Sequence, residues 1–521
     1  MSNRSSDILF QLIHSLEKAE KRHFKLYIKR SSSNENLKIV QLFDAIDKLK
    51  NYNEADLLKR LPGIQKAQLH NLKTHLYKQI LSSLRLLKST DSMDLQLNEL
   101  FDHAHILYKK GLFYQSLRLL EKAKETARAN QKFHFLTLVL GLEKRIESQH
   151  ITKAIQDHAE RLAAESTKVS QHIDLLTRLS NLALQLYSWH VKRGPVRNDA
   201  DETELTNLLQ NNLPKRDPKG WGFYESLYYY QSMTWYTLLR NDFLACYTYA
   251  QKCVGLFHLN GTMKRVETSY YIKALHYLLN VHFELLNYGA FLHTLSELEA
   301  FSKTDRVQEN DNFRVQCLIY LAQARMNLYF MTGHFEKGLP LVRAIEEQLS
   351  DNALFIDQHR ILVLHYKMAL FYFACQNYSA CIDYAQKIIN EAIDLRYDLQ
   401  GNARLLHLLA HYEEGNYDLM QYLSKSVQRF LSKDKQLSPM ETEAFRVLRA
   451  TPRLTKSSLK QQLLQFMEES QKDGKGNNQI SYTSGGAYLY IWMESKATGK
   501  TIDQLVQEKY KARKRSVAVS L

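Results

Sequence analysis

Five cationic side chains near the amino end of the 521-residue chain recur at a spacing that suits one face of a helix. At about 100° per residue they fall within an arc of roughly 100°, and apolar residues of the same segment lie opposite. They are Lys18, Lys21, Arg22, Lys25 and Lys29. This basic stripe predicts contact with phosphates of nucleic acid or with an acidic protein surface. A solvated helix face is the alternative interpretation.

A second group of cations stands at the other end of the chain, where residues 509–515 hold five cations. Four of them are candidate phosphate or acidic-partner contacts: Lys511, Arg513, Lys514 and Arg515. Such a tail would attract RNA, DNA or an anionic lipid surface, and a disordered solubilising end is the alternative.

The net charge of +15 is unevenly distributed. Residues 1–90 hold 17 Lys and Arg against 8 Asp and Glu, and residues 471–521 hold 9 against 4. The other 380 residues hold 44 against 43. A nearly neutral middle between two basic ends indicates an anionic partner that the ends would meet, with nucleic acid or the ribosome as candidates.

Two motifs imitate a metal or cofactor site without completing it. His407 and His411 have the i, i+4 spacing of metal ligands, but no third ligand is evident and packing is favoured. Gly499-Lys500-Thr501 matches the end of a phosphate-binding P-loop, yet Glu494 stands where that motif needs glycine and no strand precedes it. We expect no catalytic residue, metal or cofactor, and an enzyme is the least favoured class. Its mark would be a pocket of ionisable groups with shifted pKa values.

Residues 53–88 have the outline of a helix-turn-helix. A short helix ends at Leu61-Pro62-Gly63, and a longer helix follows with Leu69 and Leu72 in its core. Polar residues that suit base contacts stand near the start of the longer helix: Gln65, Lys66, Gln68 and Asn71. An ordinary helix pair explains the same pattern and is the favoured interpretation.

The composition favours long helices with short connections. Glycine (18) and proline (7) are scarce, where average usage would give about 36 and 26. The five cysteines form no CxxC, which indicates buried thiols in a reducing compartment. No apolar run approaches the roughly 18 residues of a membrane span, and no signal peptide is expected. The predicted location is the cytoplasm.

A recurrent signature organises the middle of the chain. An apolar helix ends in a two-residue turn, and an aromatic residue opens the next helix. These aromatics are Phe113, Phe243, Tyr288, Phe335, Tyr378 and Tyr417. From Phe243 onward they are 45, 47, 43 and 39 residues apart, a period that is typical of stacked helix pairs. Further helices are predicted near 133–149, 152–168, 174–192 and 201–213.

The residues around this signature resemble tetratricopeptide (TPR) repeats over about residues 95–430. In one unit, Ala369 and Tyr372 lie on the first helix and Cys381 and Ala385 on the second, where TPRs place small or apolar residues. Residues 18–27, 42–48 and 492–496 are similar to the opening and closing segments of an uncharacterised bacterial group of TPR-like proteins.

The resemblance implies an all-α fold, a TPR-like α-solenoid in which antiparallel helix pairs form a right-handed superhelix. A basic N-terminal helical module is expected over 1–90, with helices at 5–30, 36–50, 53–61 and 64–88. The solenoid is expected over 91–435. A C-terminal helical module would occupy 436–521, with a helix pair at 438–470, a linker at 471–486, a last pair at 487–497 and 501–512, and the basic tail.

TPR-like stacks line their inner wall with the first helices of the pairs, so the resemblance also implies a partner-binding groove. Its predicted residues are Tyr236, His282, Tyr329, Tyr372 and His411. The favoured function is a non-enzymatic cytoplasmic scaffold or adaptor that binds a protein or peptide in this groove. The alternative is a nucleic-acid- or ribosome-associated regulator that uses the basic ends.

Overall fold

All regular structure in the described part of the chain is α-helical, and this part contains 26 helices and no strand. The structure is a computed structural model. It describes residues 8–30, 34–61, 63–88, 92–149, 158–196, 198–213, 221–351, 356–391, 396–432, 437, 439–450, 456–472 and 485–519. The helical content confirms the predicted all-α class.

The chain divides into two compact units, residues 1–170 and residues 171–521. The module boundaries predicted near residues 90 and 435 therefore lie inside the first and the second unit. The first unit contains the following helices: α1 (Ile8–Ser15), α2 (Lys18–Lys29), α3 (Asn34–Asp47), α4 (Glu54–Arg60), α5 (Lys66–Leu87), α6 (Met93–Lys109), α7 (Phe113–Ala129), α8 (Phe133–Gln149) and the start of α9 (His158–Arg193).

Helices α1–α5 share one apolar core, which includes Phe24, Phe43 and Leu76. A second core in the same unit joins α6, α7 and α8 through Leu120, Val139 and neighbouring side chains. The four predicted N-terminal helices thus fold around their own apolar cluster. Their amphipathic pattern provides the apolar side chains of this core.

The helix predicted over 5–30 is wrong as a single element, because α1 ends at Ser15 and α2 begins at Lys18. Glu17 has an extended backbone and its N–H donates to Glu20 Oε2 at 2.9 Å, the reciprocal contact of a capping box. Lys88 Nζ lies 2.6 Å from the other oxygen of Glu20. The capping box satisfies backbone N–H groups at the start of α2. The continuous apolar pattern of the sequence does not reveal this break between α1 and α2.

The second unit contains the remaining helices: the end of α9, α10 (Asp199–Asn212), α11 (Phe223–Leu239), α12 (Phe243–Leu259), α13 (Met263–Val266), α14 (Thr268–Glu284), α15 (Tyr288–Ser302), α16 (Asp305–Gln308), α17 (Asp311–Thr332), α18 (Phe335–Asp351), α19 (Gln358–Ala374), α20 (Tyr378–Asn390), α21 (Tyr397–Glu413), α22 (Tyr417–Leu431), α23 (Pro439–Ala450), α24 (Lys456–Lys472), α25 (Gly485–Thr498) and α26 (Ile502–Val519). Consecutive helices pack against each other, as α11 does with α12 and α19 with α20.

Each of the six signature aromatics is the first residue of a helix, as predicted. Two positions before each aromatic stands a residue with a left-handed backbone: Gly111, Asn241, Leu286, Gly333, Gln376 and Gly415. At five of these turns the next N–H donates to a carbonyl five residues earlier, as Asn287 does to His282 at 2.8 Å. This bond is that of the Schellman motif, which satisfies the last carbonyls of a helix.

The same turn occurs before Phe133, where the sequence gives no turn signal. Gln131 has φ +54° and the N–H of Lys132 donates to the Ala127 carbonyl at 2.8 Å. The helices predicted at 152–168 and 174–192 are a single element, α9, because no glycine, proline or left-handed residue interrupts the segment 169–173. The pairs predicted at 438–470 and 487–512 correspond to α23–α24 and α25–α26, while residues 473–484 of the predicted linker lie outside the described residues.

Candidate functional site

Two of the five residues of the basic stripe are engaged by the neighbouring helix α3. Lys21 Nζ lies 2.6 Å from Asp47 Oδ1, and Lys25 Nζ lies 2.6 Å from Asp44 Oδ1. Lys18, Arg22 and Lys29 are exposed and form no ion pair within the described residues. The stripe therefore presents three open cations rather than five, and part of its role is to hold α2 against α3.

The predicted helix-turn-helix segment folds as the pair α4 and α5, and its four candidate base-reading residues, Gln65, Lys66, Gln68 and Asn71, are exposed at the start of α5. DNA reading by this helix stays a prediction.

The basic tail is helical, because α26 continues to Val519. Lys511 is exposed, whereas Arg513 is partly buried and burial lowers its pKa. The side chains of Lys514 and Arg515 lie outside the described residues. Tyr510 packs edge-on against Tyr288 with ring centroids 5.2 Å apart, so this helix is anchored on the helices of its own unit.

All five predicted groove residues lie in the last turn of their helices, next to the connecting turns. Tyr236, His282 and Tyr372 are buried, with 8%, 3% and 8% of their surface exposed, and Tyr329 and His411 are partly buried. Tyr372, for example, donates to Glu346 at 3.1 Å and stacks on Tyr384. Three of the five therefore contribute mainly to packing, and a role in partner binding stays a prediction.

The two sequence motifs that resemble a metal site and a P-loop make ordinary packing and ion-pair contacts. The rings of His407 and His411 meet edge to face at 4.5 Å, and burial lowers the pKa of His407 to about 4. Lys500, in the turn between α25 and α26, binds Glu508 at 2.7 Å. In the described part of the chain, no three His, Cys, Asp or Glu side chains come together as a metal site would require.

A different set of polar and aromatic side chains comes together inside the second unit. These residues, called the inner cluster below, come from the end of α9 and from α11, α14, α17, α19 and the start of α21. They are Tyr187, His190, Trp235, Lys273, His276, Tyr277, Tyr320, Asn327, His359, Arg360, Lys367, Arg396 and Asp398.

Arg396 anchors one edge of the inner cluster. Its guanidinium donates to both Asp398 oxygens at 2.8 and 2.7 Å, and to His190 and His359 at 3.4 and 3.3 Å. Its backbone N–H donates to the Val191 carbonyl at 2.9 Å. Burial, and then the Arg396 charge, lower the pKa of His190 to about 3 and that of His359 to about 4. Both histidines are therefore neutral acceptors, and the start of α21 is fixed against the end of α9.

Lys273 lies between aromatic faces and has no charged partner. Its Nζ is 5.1 Å from the Tyr187 ring centroid and 5.6 Å from that of Tyr277, distances typical of cation–π contacts. Among the described residues it forms no hydrogen bond and no ion pair. Burial lowers the pKa of Lys273 to about 8, and the nearby Arg360 charge lowers it further. Lys273 is partly buried, and its ammonium has no acceptor within the described residues.

Arg360 forms the opening of the inner cluster, since 32% of its side chain is exposed. Its guanidinium lies 5.7 Å over the Tyr320 ring and donates to the Tyr320 hydroxyl at 3.4 Å. The Tyr320 ring in turn stacks on His276, with centroids 3.8 Å apart and planes 3° from parallel. Asp357, at 3.0 Å, is the carboxylate partner of Arg360.

Lys367 lies at the buried end of the inner cluster, with 8% of its surface exposed. Its Nζ donates to Asn327 Oδ1 at 2.6 Å, and it lies 5.5 Å from the Phe283 ring and 5.8 Å from the Phe330 ring. Burial lowers its pKa to about 8. Like Lys273, it has no carboxylate within ion-pair distance in the described part of the chain.

The inner cluster can therefore bind a group that is anionic or rich in hydrogen-bond acceptors. It offers two lysines without carboxylate partners in the described part of the chain, the partly exposed guanidinium of Arg360, and the buried Tyr277 hydroxyl, which has no hydrogen-bond partner there. Sequence reasoning missed it because its members come from six helices. The one signal was the dense aromatic segment 228–236, which contains Trp235.

The fold and this site define an all-helical protein with many helices and a cationic, aromatic interior in its second unit. No helix of the described residues combines the length and the apolar character that a bilayer span requires. Comparisons of the chain with protein-family models, with curated proteins and with solved structures gave no match.

Proposed function

We propose that this protein is a TPR-like α-solenoid, a right-handed superhelix of antiparallel helix pairs, which acts as a non-enzymatic scaffold or adaptor for a protein or peptide partner. The repeated connection supports this fold, since the same left-handed residue and helix-opening aromatic recur at six turns. Connections of similar geometry relate successive pairs in similar ways, which is the physical basis of a solenoid.

The inner cluster combines ionisable groups with shifted pKa values, the mark expected of an enzyme, but Arg396 holds its Asp398 and the histidines beside Arg396 are neutral acceptors. We therefore favour a binding role, and the partner would bind at the inner cluster. Its side chains come from first helices of the pairs (α11, α14, α17, α19 and α21), which are the helices that line the inner wall of such a stack. Tyrosine, tryptophan and arginine are also the residue types that dominate binding energy at protein interfaces.

The unpaired ammonium of Lys273 is the observation that carries this proposal. Lys273 is partly buried and has neither a carboxylate nor a hydrogen-bond acceptor within the described residues. Its ammonium is therefore available to a ligand that supplies the missing contact. Cation–π contacts with Tyr187 and Tyr277 hold the lysine in place and leave its N–H groups open to an acceptor.

The test is affinity purification from the native cell with three forms of the protein: wild type, Arg360→Glu and Arg325→Glu. The two arginines are matched, because each binds one carboxylate (Asp357 at 3.0 Å, Glu299 at 2.8 Å) and is partly exposed, but only Arg360 belongs to the inner cluster. We expect a protein partner that wild type and Arg325→Glu retain and Arg360→Glu loses. Equal recovery by all three forms would contradict binding at the inner cluster.

The alternative, binding of nucleic acid or the ribosome through the basic ends, is tested in the same experiment. Lys18, Arg22 and Lys29 are the stripe residues still open to phosphates. Partners that disappear on nuclease treatment, and that a Lys18→Glu/Arg22→Glu/Lys29→Glu variant fails to recover, would favour the alternative over the scaffold.

A further inference from the structure

The inner cluster has a charge pattern that narrows the chemistry of its ligand. Lys273 has no carboxylate partner. The partner of the Arg360 guanidinium, Asp357, also caps α19 by accepting the backbone N–H of Arg360. Asp357 is also about half exposed, so water screens its charge. Two neighbouring cations are thus left with little compensation inside the protein.

We propose that Lys273 and Arg360 bind a phosphoryl group on the partner peptide, a proposal that rests on the scaffold function above. A phosphoryl group carries a charge of about −1.5 to −2 at neutral pH and three strong acceptor oxygens. It therefore matches two cations, whereas a single carboxylate would leave one of them uncompensated. The ammonium of Lys273 has all three N–H donors available.

The surroundings of the two cations supply further hydrogen-bond donors. Burial raises the pKa of Tyr187, and Tyr277 has a buried hydroxyl without a hydrogen-bond partner, so both phenols stay protonated and can donate to an oxyanion. Arg360 retains N–H groups beyond those used by Asp357 and Tyr320, because a guanidinium has five. One phosphoryl group is sufficient to occupy these donors.

The placement of the cations favours a peptide-borne phosphoryl group over nucleic acid. Proteins that bind nucleic-acid backbones present successive cations along an open groove. Here each cation lies over aromatic rings, Tyr187 and Tyr277 for Lys273 and Tyr320 for Arg360, and the Arg360 charge acts on Lys273. Two neighbouring cations of this kind suit a single anionic group, as in phosphopeptide recognition by basic clusters.

The experiment compares thermal unfolding of the full chain in inorganic phosphate, in N-acetyl-phosphoserine amide, in N-acetyl-phosphotyrosine amide and in chloride at equal ionic strength. It uses wild type, Lys273→Met and Lys252→Met. Lys252 is the matched control, since it also lies over a tyrosine ring (Tyr249, 5.8 Å) but is exposed on the second helix α12. General salting effects act on all three proteins alike and cancel in the comparison.

We expect at least one phosphoamino-acid amide to raise the unfolding temperature of wild type and of Lys252→Met, with Lys273→Met binding it at least about tenfold more weakly. No rise in wild type, or an equal rise in Lys273→Met, would overturn the proposal. Protection by inorganic phosphate alone would also overturn it, by assigning the site to the free ion. If these results are negative while Arg360→Glu still loses its protein partner, the phosphoryl assignment fails and the scaffold function stands.

Discussion

Asp503 Oδ1 accepts a hydrogen bond from the backbone N–H of Phe335 at 3.2 Å, across 168 residues of sequence. At three other turns the residue before the aromatic caps the new helix itself, as Asp242 and Asn287 do by accepting from Ala245 and Ala290. The turn after α17 has a histidine at that position, and α26 supplies the acceptor instead. The last helix of the chain therefore completes the start of α18.

The close approach of α26 to this turn predicts a large effect of Gly333→Ala. Gly333 has φ +72°, and an added Cβ would lie 2.8 Å from the Gln507 nitrogen and 2.9 Å from the Asp503 carbonyl oxygen. Gly415, with φ +80° and its nearest neighbour 4.0 Å away, is the control. Both substitutions carry the left-handed penalty of about 1–2 kcal/mol.

Overpacking adds about 1–3 kcal/mol to Gly333→Ala alone. We expect urea denaturation to show a lower free energy of unfolding for Gly333→Ala than for Gly415→Ala. Equal losses would mean that α26 does not pack tightly on the turn.

Only some residues of the basic stripe form ion pairs, so we expect charge reversal to affect the free energy of unfolding differently for paired and unpaired residues. Lys21→Glu/Lys25→Glu would place like charges beside Asp47 and Asp44 and lower the free energy of unfolding by about 1–2 kcal/mol. Arg22→Glu/Lys29→Glu should change it by less than about 0.5 kcal/mol, because both residues are exposed and unpaired within the described residues. Urea titration of the two variants at low and high salt checks this. Equal effects would show that the α2–α3 ion pairs do not stabilise the fold.

For a buried ion pair in the first unit, we expect replacing one partner to lower the free energy of unfolding more than replacing both. Lys124 Nζ lies 2.8 Å from Glu143 Oε2, and 5% and 2% of these residues are exposed. Glu143→Leu alone leaves the buried ammonium with two more exposed carboxylates, Glu121 at 3.2 Å and Glu165 at 4.0 Å, and should cost about 1–3 kcal/mol. Lys124→Met/Glu143→Leu should recover most of this loss. A double variant as unstable as the single one would show that the pair is needed for specific packing.

Burial of neutral histidines predicts that the protein loses stability in mild acid. Burial, with the Arg360, Lys367 and Lys273 charges, lowers the pKa of His276 to about 3. Between about pH 6.5 and pH 3 the unfolded chain binds a proton that the folded chain does not. The free energy of unfolding then falls by roughly 1.4 kcal/mol per pH unit for this residue.

His276→Phe keeps a ring against Tyr320, 3.8 Å away, but removes the titration. Urea unfolding at pH 7, 6 and 5 should therefore show a shallower pH dependence for this variant than for wild type. His293→Phe, at an exposed position, is the control and should retain the wild-type slope. An unchanged slope in His276→Phe would contradict the assignment.

The sequence predicts the elements of this fold better than its site. A turn followed by an aromatic is a local signal, so the helices that begin at Phe243, Tyr288 and Tyr378 could be placed to the residue. The break at Glu17 could not, because it depends on a capping contact with Glu20 rather than on apolar spacing.

The site depends on long-range packing. His190 and Arg396 are 206 residues apart and meet only because α9 and the start of α21 lie side by side. The TPR resemblance predicts groove residues near the turns, such as His282, where the repeat signal is strongest. The inner cluster uses earlier positions of the same helices, such as Lys273 in α14.

Photocrosslinking from inside the inner cluster tests the central claim most directly. Benzoylphenylalanine is placed at Tyr187, which lies 5.1 Å from the Lys273 ammonium. In a second protein it is placed at Tyr249, a partly buried tyrosine on α12 that also has a lysine over its ring. We expect irradiation of living cells to give a discrete protein adduct from position 187, lost on Arg360→Glu, and none from position 249. Absence of a protein adduct at position 187, or the same adducts from both positions, would contradict partner binding at this site.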